Sequence, residues 1–135
     1  MSVQIKGSVC FVTGANRGIG RAIVEELIMK GAAKVYAAAR KPENLKTLVE
    51  PSQGKGVRVA LDVTNEEEIR AAAKAAPDTQ ILINNAGIAN YTAIVAAPDT
   101  RSARAEMEVN YFGVMNMTRA FAPVLKKNGG GALVN

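Results

Sequence analysis

Three glycines, Gly14, Gly18 and Gly20, stand in the order G-x-x-x-G-x-G between two apolar segments of different period. Before them Val9-Cys10-Phe11-Val12 is a short β-prone run. After them Ile19, Ile23 and Leu27 recur every four residues with Ala22 beside them, the apolar face of a helix. Glycine tolerates the sharp backbone bends that such a strand-to-helix turn needs. Gly31 ends the helix where a left-handed cap is wanted.

The alternation continues along the chain. Lys34-Val35-Tyr36-Ala37 reads as a second strand, and Pro42 suits the first turn of a helix to about Glu50, stopped by Pro51. Ser52 to Gly56 is a flexible turn before a third strand, Val57 to Leu61. Thr64 and Glu67 form a capping box, and Glu66, Glu67 and Glu68 favour a helix start that runs to Pro77. Ile81-Leu82-Ile83 is a fourth strand. Asp99 or Thr100 then caps one long helix to about Lys127, with Val114, Met117, Phe121 and Val124 on its face. Gly129-Gly130-Gly131 breaks it before a fifth strand, Ala132-Leu133-Val134. Strands separated by helices imply βαβ units and a parallel sheet covered on both faces. The expected fold class is α/β, a doubly wound parallel sheet reaching about the fifth strand.

Composition narrows the chemistry. At 135 residues the chain is one domain's worth, with 48% hydrophobic and 21% charged residues, as in globular proteins. A single cysteine excludes an intramolecular disulfide, and the absence of histidine removes His-based triads and His-ligated zinc, so no metal is expected. Cys10 and the methionines, Met107, Met115 and Met117 among them, read as packing residues. The longest uncharged run, Thr79 to Pro98, contains Gln80, Asn84, Asn85 and Asn90 and is no membrane span. The net charge of +5 is scattered, with pairs as the longest basic runs and 4% aromatics, so no nucleic-acid footprint is expected. The expected location is cytoplasmic.

The glycine turn carries the chemistry. A backbone that bends there can approach a pyrophosphate, while the following helix offers unpaired N–H groups and a positive dipole end. About twenty residues on, an acid would hold a ribose 2′-hydroxyl, whereas an arginine suits a 2′-phosphate. The sequence has Ala38-Ala39-Arg40 there, and Arg17 adds a second guanidinium from the turn itself. The pattern favours NADP over NAD. On their own, Asp62 is equally a turn acid, Asn84 and Asn85 strand-end turn residues, and Asn110 a polar residue within a helix.

Thr13 to Gly20 together with Asp62-Val63, Asn84-Asn85-Ala86-Gly87 and Val109-Asn110, in that order, resembles the short-chain dehydrogenase/reductase family over the whole chain. The resemblance implies a Rossmann-type sheet and hydride transfer between NADP(H) and a small carbonyl or alcohol substrate. By the same resemblance, Gly14, Asn16, Arg17, Gly18, Ile19 and Gly20 form the phosphate-binding turn, and Arg40 selects the 2′-phosphate. Asp62 would bond the adenine amino group with Val63 beside the ring. Asn85, Ala86 and Gly87 would line the floor between ribose and nicotinamide, and Asn84 would tie strands together. Asn110 would be the family's catalytic asparagine, which kinks its helix and holds a water of the proton relay. The family's serine and Tyr-x-x-x-Lys pair are not found: Tyr36, Tyr91 and Tyr111 are followed four residues later by Arg40, Val95 and Met115, and the serines stand at 2, 8, 52 and 102. The expectation is the cofactor-binding portion of a reductase, inactive alone, forming homo-oligomers through uncovered apolar surface. A catalytically silent nucleotide-binding or interaction module is the alternative. A flavodoxin-like or phosphoacceptor domain is disfavoured because no acid ends the first strand.

Overall fold

The computed structural model describes residues 3–135, so Ser2 lies outside it. Five parallel strands, β1 (Val9–Val12), β2 (Lys34–Ala39), β3 (Gly56–Ala60), β4 (Ile81–Ile83) and β5 (Ala132–Val134), form one sheet in the order β3-β2-β1-β4-β5. The chain winds outward from β1 in both directions, so β1 and β4 meet where the winding reverses. Val12 stands beside Ala37 on one side and Ile83 on the other. In open sheets of this kind the crevice beyond the strands' carboxyl ends at that reversal is where ligands bind.

Strand side chains alternate between two cores. Cys10, Val12, Val35, Ala37, Ile81 and Ile83 pack against Val24 and Leu27 of α1 (Gly18–Met29) and against Leu45 and Leu48. Phe11, Tyr36, Ala38 and Leu82 face the other way, onto Ile69 and Ala72 of α3 (Glu66–Ala75) and Met117 and Phe121 of α5 (Val114–Lys127). Phe11 anchors this second core, with Phe121 at 4.7 Å and Tyr36 at 5.9 Å between ring centroids. Burial on both faces explains why the strands read as near-continuous apolar runs. Cys10 is fully buried, and burial pushes its thiol above the usual range, as an inert packing residue requires.

Five expectations are corrected. The buried stripe of α1 is Gly20, Val24 and Leu27, while Ile19 is 76% exposed and Ala22 also faces solvent. The apolar count overlooked that a glycine can be the residue pressed against the neighbouring loop. The helix from Pro42 is a single α-turn, α2 (Lys46–Val49), flanked by 3₁₀ turns at Pro42–Leu45 and Glu50–Ser52. Asn65, not Thr64, caps α3: its side chain accepts from the N–H groups of Glu67 and Glu68, while the Thr64 hydroxyl donates to Asp62. The long helix is not continuous: α4 (Arg101–Met107) passes through a π segment, Glu108–Gly113, into α5. Of its methionines only Met117 packs in the core; Met107 and Met115 are exposed.

At the amino end of β2, away from the crevice, Asp78 accepts hydrogen bonds from Lys34 (2.5 Å) and the Tyr36 hydroxyl (2.8 Å). Burial pushes the Asp78 carboxyl up, but the bonds from Lys34 and Tyr36 together outweigh it and hold the group below its ordinary 3.8. A depressed carboxyl stabilises the fold above its unfolded pKa, and the gain is lost as pH falls through the folded value. Lys34, raised first by its bond to Asp78, stabilises below its ordinary 10.5 and loses that gain as pH rises through the folded value. Asp78→Asn should therefore flatten the acid limb of stability. Urea midpoints compared at pH 7 and pH 3 will differ less in the variant than in the parent chain. An unchanged difference would show that the cluster is energetically silent.

Candidate cofactor site

Thr13 begins the site. It follows β1 directly, is buried, and its hydroxyl oxygen accepts the N–H of Asn85 (3.0 Å) and of Ala86 (2.9 Å). The return link is Asn85, whose side-chain amide donates to the carbonyls of Thr13 (3.0 Å) and Gly14 (3.1 Å). Four hydrogen bonds thus stitch the turn after β1 to the loop after β4. A fifth, from the Ala15 N–H to the Ala38 carbonyl (2.9 Å), fastens the same turn to β2. Within the glycine motif alone Thr13 has no visible role. A threonine at a strand end carries no signal until its partner across the sheet is known.

Two of the three glycines are explained by this stitching. A Cβ on Gly14 would stand 2.9 Å from the Ala86 Cα, and its φ of +65° is in the left-handed region. A Cβ on Gly20 would collide with the Gly14 carbonyl and the Asn85 side chain. Gly18 differs: its φ is +54° and nothing lies within 4 Å of where a Cβ would be. Gly18 faces open space, with exposed Arg17 and Ile19 on either side and half-buried Asn16 before them. Arg17 precedes α1 with extended backbone, no side chain caps the helix, and its first turn holds no acid. The start of α1 therefore presents polar N–H groups and positive potential beside an open glycine.

Arg40 lies immediately beyond β2, whose Ala38 carbonyl already holds the glycine turn. Both Arg17 and Arg40 are exposed, and among the described residues neither forms an ion pair. Beyond β3, half-buried Asp62 accepts the N–H (2.9 Å) and hydroxyl (2.7 Å) of Thr64 through one oxygen. Its own N–H donates to Glu68 at 2.7 Å. Val63 is buried next to it. The turn-acid reading of Asp62 is thus realised, and its second carboxylate oxygen has no bond among the described residues.

On the far side, Asn110 lies in the π segment and closes a two-way clamp on Ile88. Its Oδ1 accepts the Ile88 N–H (2.9 Å) and its Nδ2 donates to the Ile88 carbonyl (2.8 Å). Gly87 lies against this clamp, since a Cβ there would be 3.3 Å from the Asn110 Oδ1. Asn84 ties β4 to the end of β5 through Asn135 (2.9 Å) and reaches Thr118 of α5 (3.4 Å). Its Oδ1 is buried with no partner among the described residues. Asn84, Ala86, Gly87, Asn110, Val114 and Asn135 border an open cavity of about 510 Å³. A second hollow of about 440 Å³ between α3 and α5 is remote from the glycine turn. The expected residues therefore lie along one crest of the sheet, from Arg40 through the glycine turn to Asn110. Asn85 is the exception in kind, because its side chain is spent on the stitching.

A family model described as short chain dehydrogenase matches residues 8–135. Carbonyl reductase [NADPH] 1 of Mus musculus is 35% identical over 128 residues, which are 90% of this chain and 46% of that protein. A short chain dehydrogenase from Burkholderia cenocepacia J2315, solved in complex with NADP, superposes with a TM-score of 0.88 at 48% identity, covering 96% of this chain and 53% of that one. A 3-ketoacyl-(acyl-carrier-protein) reductase from Brucella melitensis, complexed with NADH, superposes at 0.85 with 29% identity, over 93% and 53%. The chain spans about half the length of the relatives it matches.

Thr13→Val keeps the shape and removes the buried hydroxyl oxygen, leaving the half-buried Ala86 N–H without its acceptor. The expected loss is about 1–3 kcal/mol of unfolding free energy, read from a urea titration. A loss indistinguishable from zero would mean that the stitching does not hold the turn.

Proposed function

The chain belongs to the short chain dehydrogenase family, and on that premise we propose that it holds NADP(H) for hydride transfer between the nicotinamide and a small carbonyl or alcohol. The observation that carries this reading is the open Gly18 at an uncapped helix start, with Arg17 beside it and Arg40 at the end of the neighbouring strand β2, neither in an ion pair among the described residues. Those features fit a dinucleotide with an extra phosphate: N–H groups for the pyrophosphate, guanidinium forks for the 2′-phosphate. The NADP and NADPH in the names of two of the proteins it resembles support the same choice. When bound, the nicotinamide supplies or accepts the hydride.

The chain's own residues have separable roles in this reading. Gly14, Asn16, Gly18, Ile19 and Gly20 shape the turn around the pyrophosphate. Arg17 and Arg40 select the 2′-phosphate. The free oxygen of Asp62 accepts from the adenine amino group while Val63 packs beside the ring. Ala86 and Gly87 line the floor, with Asn85 fixing their backbone. Asn110 positions the loop at Ile88 and serves the proton relay as the catalytic asparagine. Residues 1–135 act as one cofactor-binding unit. Tyr36 is committed to Asp78, and Tyr91 and Tyr111 have no lysine four residues on, so none of the three tyrosines makes a Tyr-x-x-x-Lys proton donor.

Among the described residues no helix is long and apolar enough to cross a membrane. A cytoplasmic location is part of the proposal, as is homo-oligomer formation. The latter is supported by exposed Tyr111, Phe112 and Met115 on the long helix and Leu133 and Val134 on the free edge strand. Sedimentation at micromolar concentration should give a mass above 14.2 kDa; a sharp monomer would overturn this part.

Arg40→Asp tests the cofactor assignment. NADPH affinity should fall about 10–100-fold, the value of one charge-assisted phosphate contact, while NADH affinity changes little. Equal losses for both would sink the 2′-phosphate role. The 135-residue chain should bind NADPH and leave it unoxidised when a carbonyl compound is added. Steady, enzyme-proportional loss of NADPH absorbance would show that this chain contains its own proton donor.

A further inference from the structure

Helical periodicity alone puts Asn110 in the wrong place. At about 100° per residue, a position seven before the fully buried Met117 points toward the same core. Asn110 is instead exposed and clamped to Ile88. The wider turn of the π segment Glu108–Gly113 supplies the difference, because an i→i+5 turn advances less per residue. Something must hold that turn open against the ordinary α geometry.

We infer that Gly113 is the positioning residue that does so: its missing side chain seats Val63 against the helix and thereby holds Asn110 on Ile88. Gly113 is buried and closes the π segment. A Cβ there would meet the Val63 Cγ2 at 2.9 Å, the Val63 Cβ at 3.2 Å and the Val63 carbonyl oxygen at 3.2 Å. Two of those atoms belong to the main chain or its first carbon, so no rotamer change relieves the contact. Val63 cannot retreat either. The residue before it is held by the Thr64 bonds to the Asp62 carboxylate and by the Asp62 N–H bond to Glu68. Tyr36, Leu61 and Ile69 share its core. An added methyl must therefore move the helix, three residues after Asn110. On the other side of the clamp, a Cβ on Gly87 would lie 3.3 Å from the Asn110 Oδ1.

The contact joins the two ends of the crest. Val63 lies at the adenine side and Asn110 at the nicotinamide side, an assignment that rests on the proposed NADP(H) reading. The mechanical link itself does not depend on it, so the test uses the chain without cofactor.

Amide hydrogen exchange in a ¹⁵N-labelled chain reads the clamp directly, since the Ile88 N–H donates to Asn110. In Gly113→Ala, Ile88 protection should fall about tenfold or more while the strand amides of Phe11 and Leu82 keep theirs, the pattern of local rather than global opening. The Asn110 side-chain amide resonances should move toward free-amide positions. Adding Val63→Gly to Gly113→Ala removes both the Cγ2 and the Cβ contacts and should restore much of both signals. Unchanged Ile88 protection, or a fall no larger than that of the strand amides, overturns the inference, as does a double variant that folds with the clamp still open. If Gly113→Ala does not fold, Val63→Ile presses on the same contact from the other side, with the same two readings. Failure of this test leaves the cofactor assignment standing, and an Arg40 result leaves this one untouched.

Discussion

The Thr13 hydroxyl is the point on which the crevice depends. Two strands adjacent in space but seventy residues apart in sequence end side by side, and their loops would otherwise diverge. One buried oxygen accepts two N–H groups from the β4 loop, and Asn85 returns two bonds to the β1 turn. Buried backbone groups without partners are costly, so this reciprocal arrangement is held by the penalty for breaking it as much as by the bonds themselves. The tight approach leaves no room for side chains on Gly14 or Gly20. The same approach leaves Gly18 and the start of α1 facing outward.

The sheet's two edges differ in charge. β3 carries exposed Arg58 and follows Lys55, charges that discourage pairing with another strand. β5 carries Leu133 and Val134, both exposed, and no charge. Beside it the buried Asn84 Oδ1 has no donor among the described residues. The relatives this chain matches are about twice its length.

Much of the fold was legible because strands buried on both faces write their burial into unbroken apolar runs. Val9–Val12 and Ile81–Ile83 were read to the residue, and β2 fell short by Ala38 and Ala39 only because alanine carries little β signal. The misreadings share one cause. Ile19, Thr64 and the unbroken long helix were each judged on local pattern, and each is decided by a contact from elsewhere. Gly20 takes Ile19's place because Asn85 is there. Asn65 caps α3 because Asp62 has engaged Thr64. The π turn follows Val63. Of the site, the glycine turn, Arg40 and Asn110 could be placed in order along the chain, whereas the role of Thr13 and the clamp on Ile88 could not.

The sequence by itself determined the alternation of strands and helices, the glycine turn at the first crossover, the arginine at the end of β2 and the absence of histidine chemistry. These are properties of residue type and spacing, which need no partner to be read. Only the tertiary structure decided which side chains spend their hydrogen bonds on holding the crevice and which remain free to meet a ligand. That division depends on contacts between β1 and β4, between Asn110 and Ile88, and between Gly113 and Val63. Each pair is brought together by the winding of the sheet, and no local pattern records it.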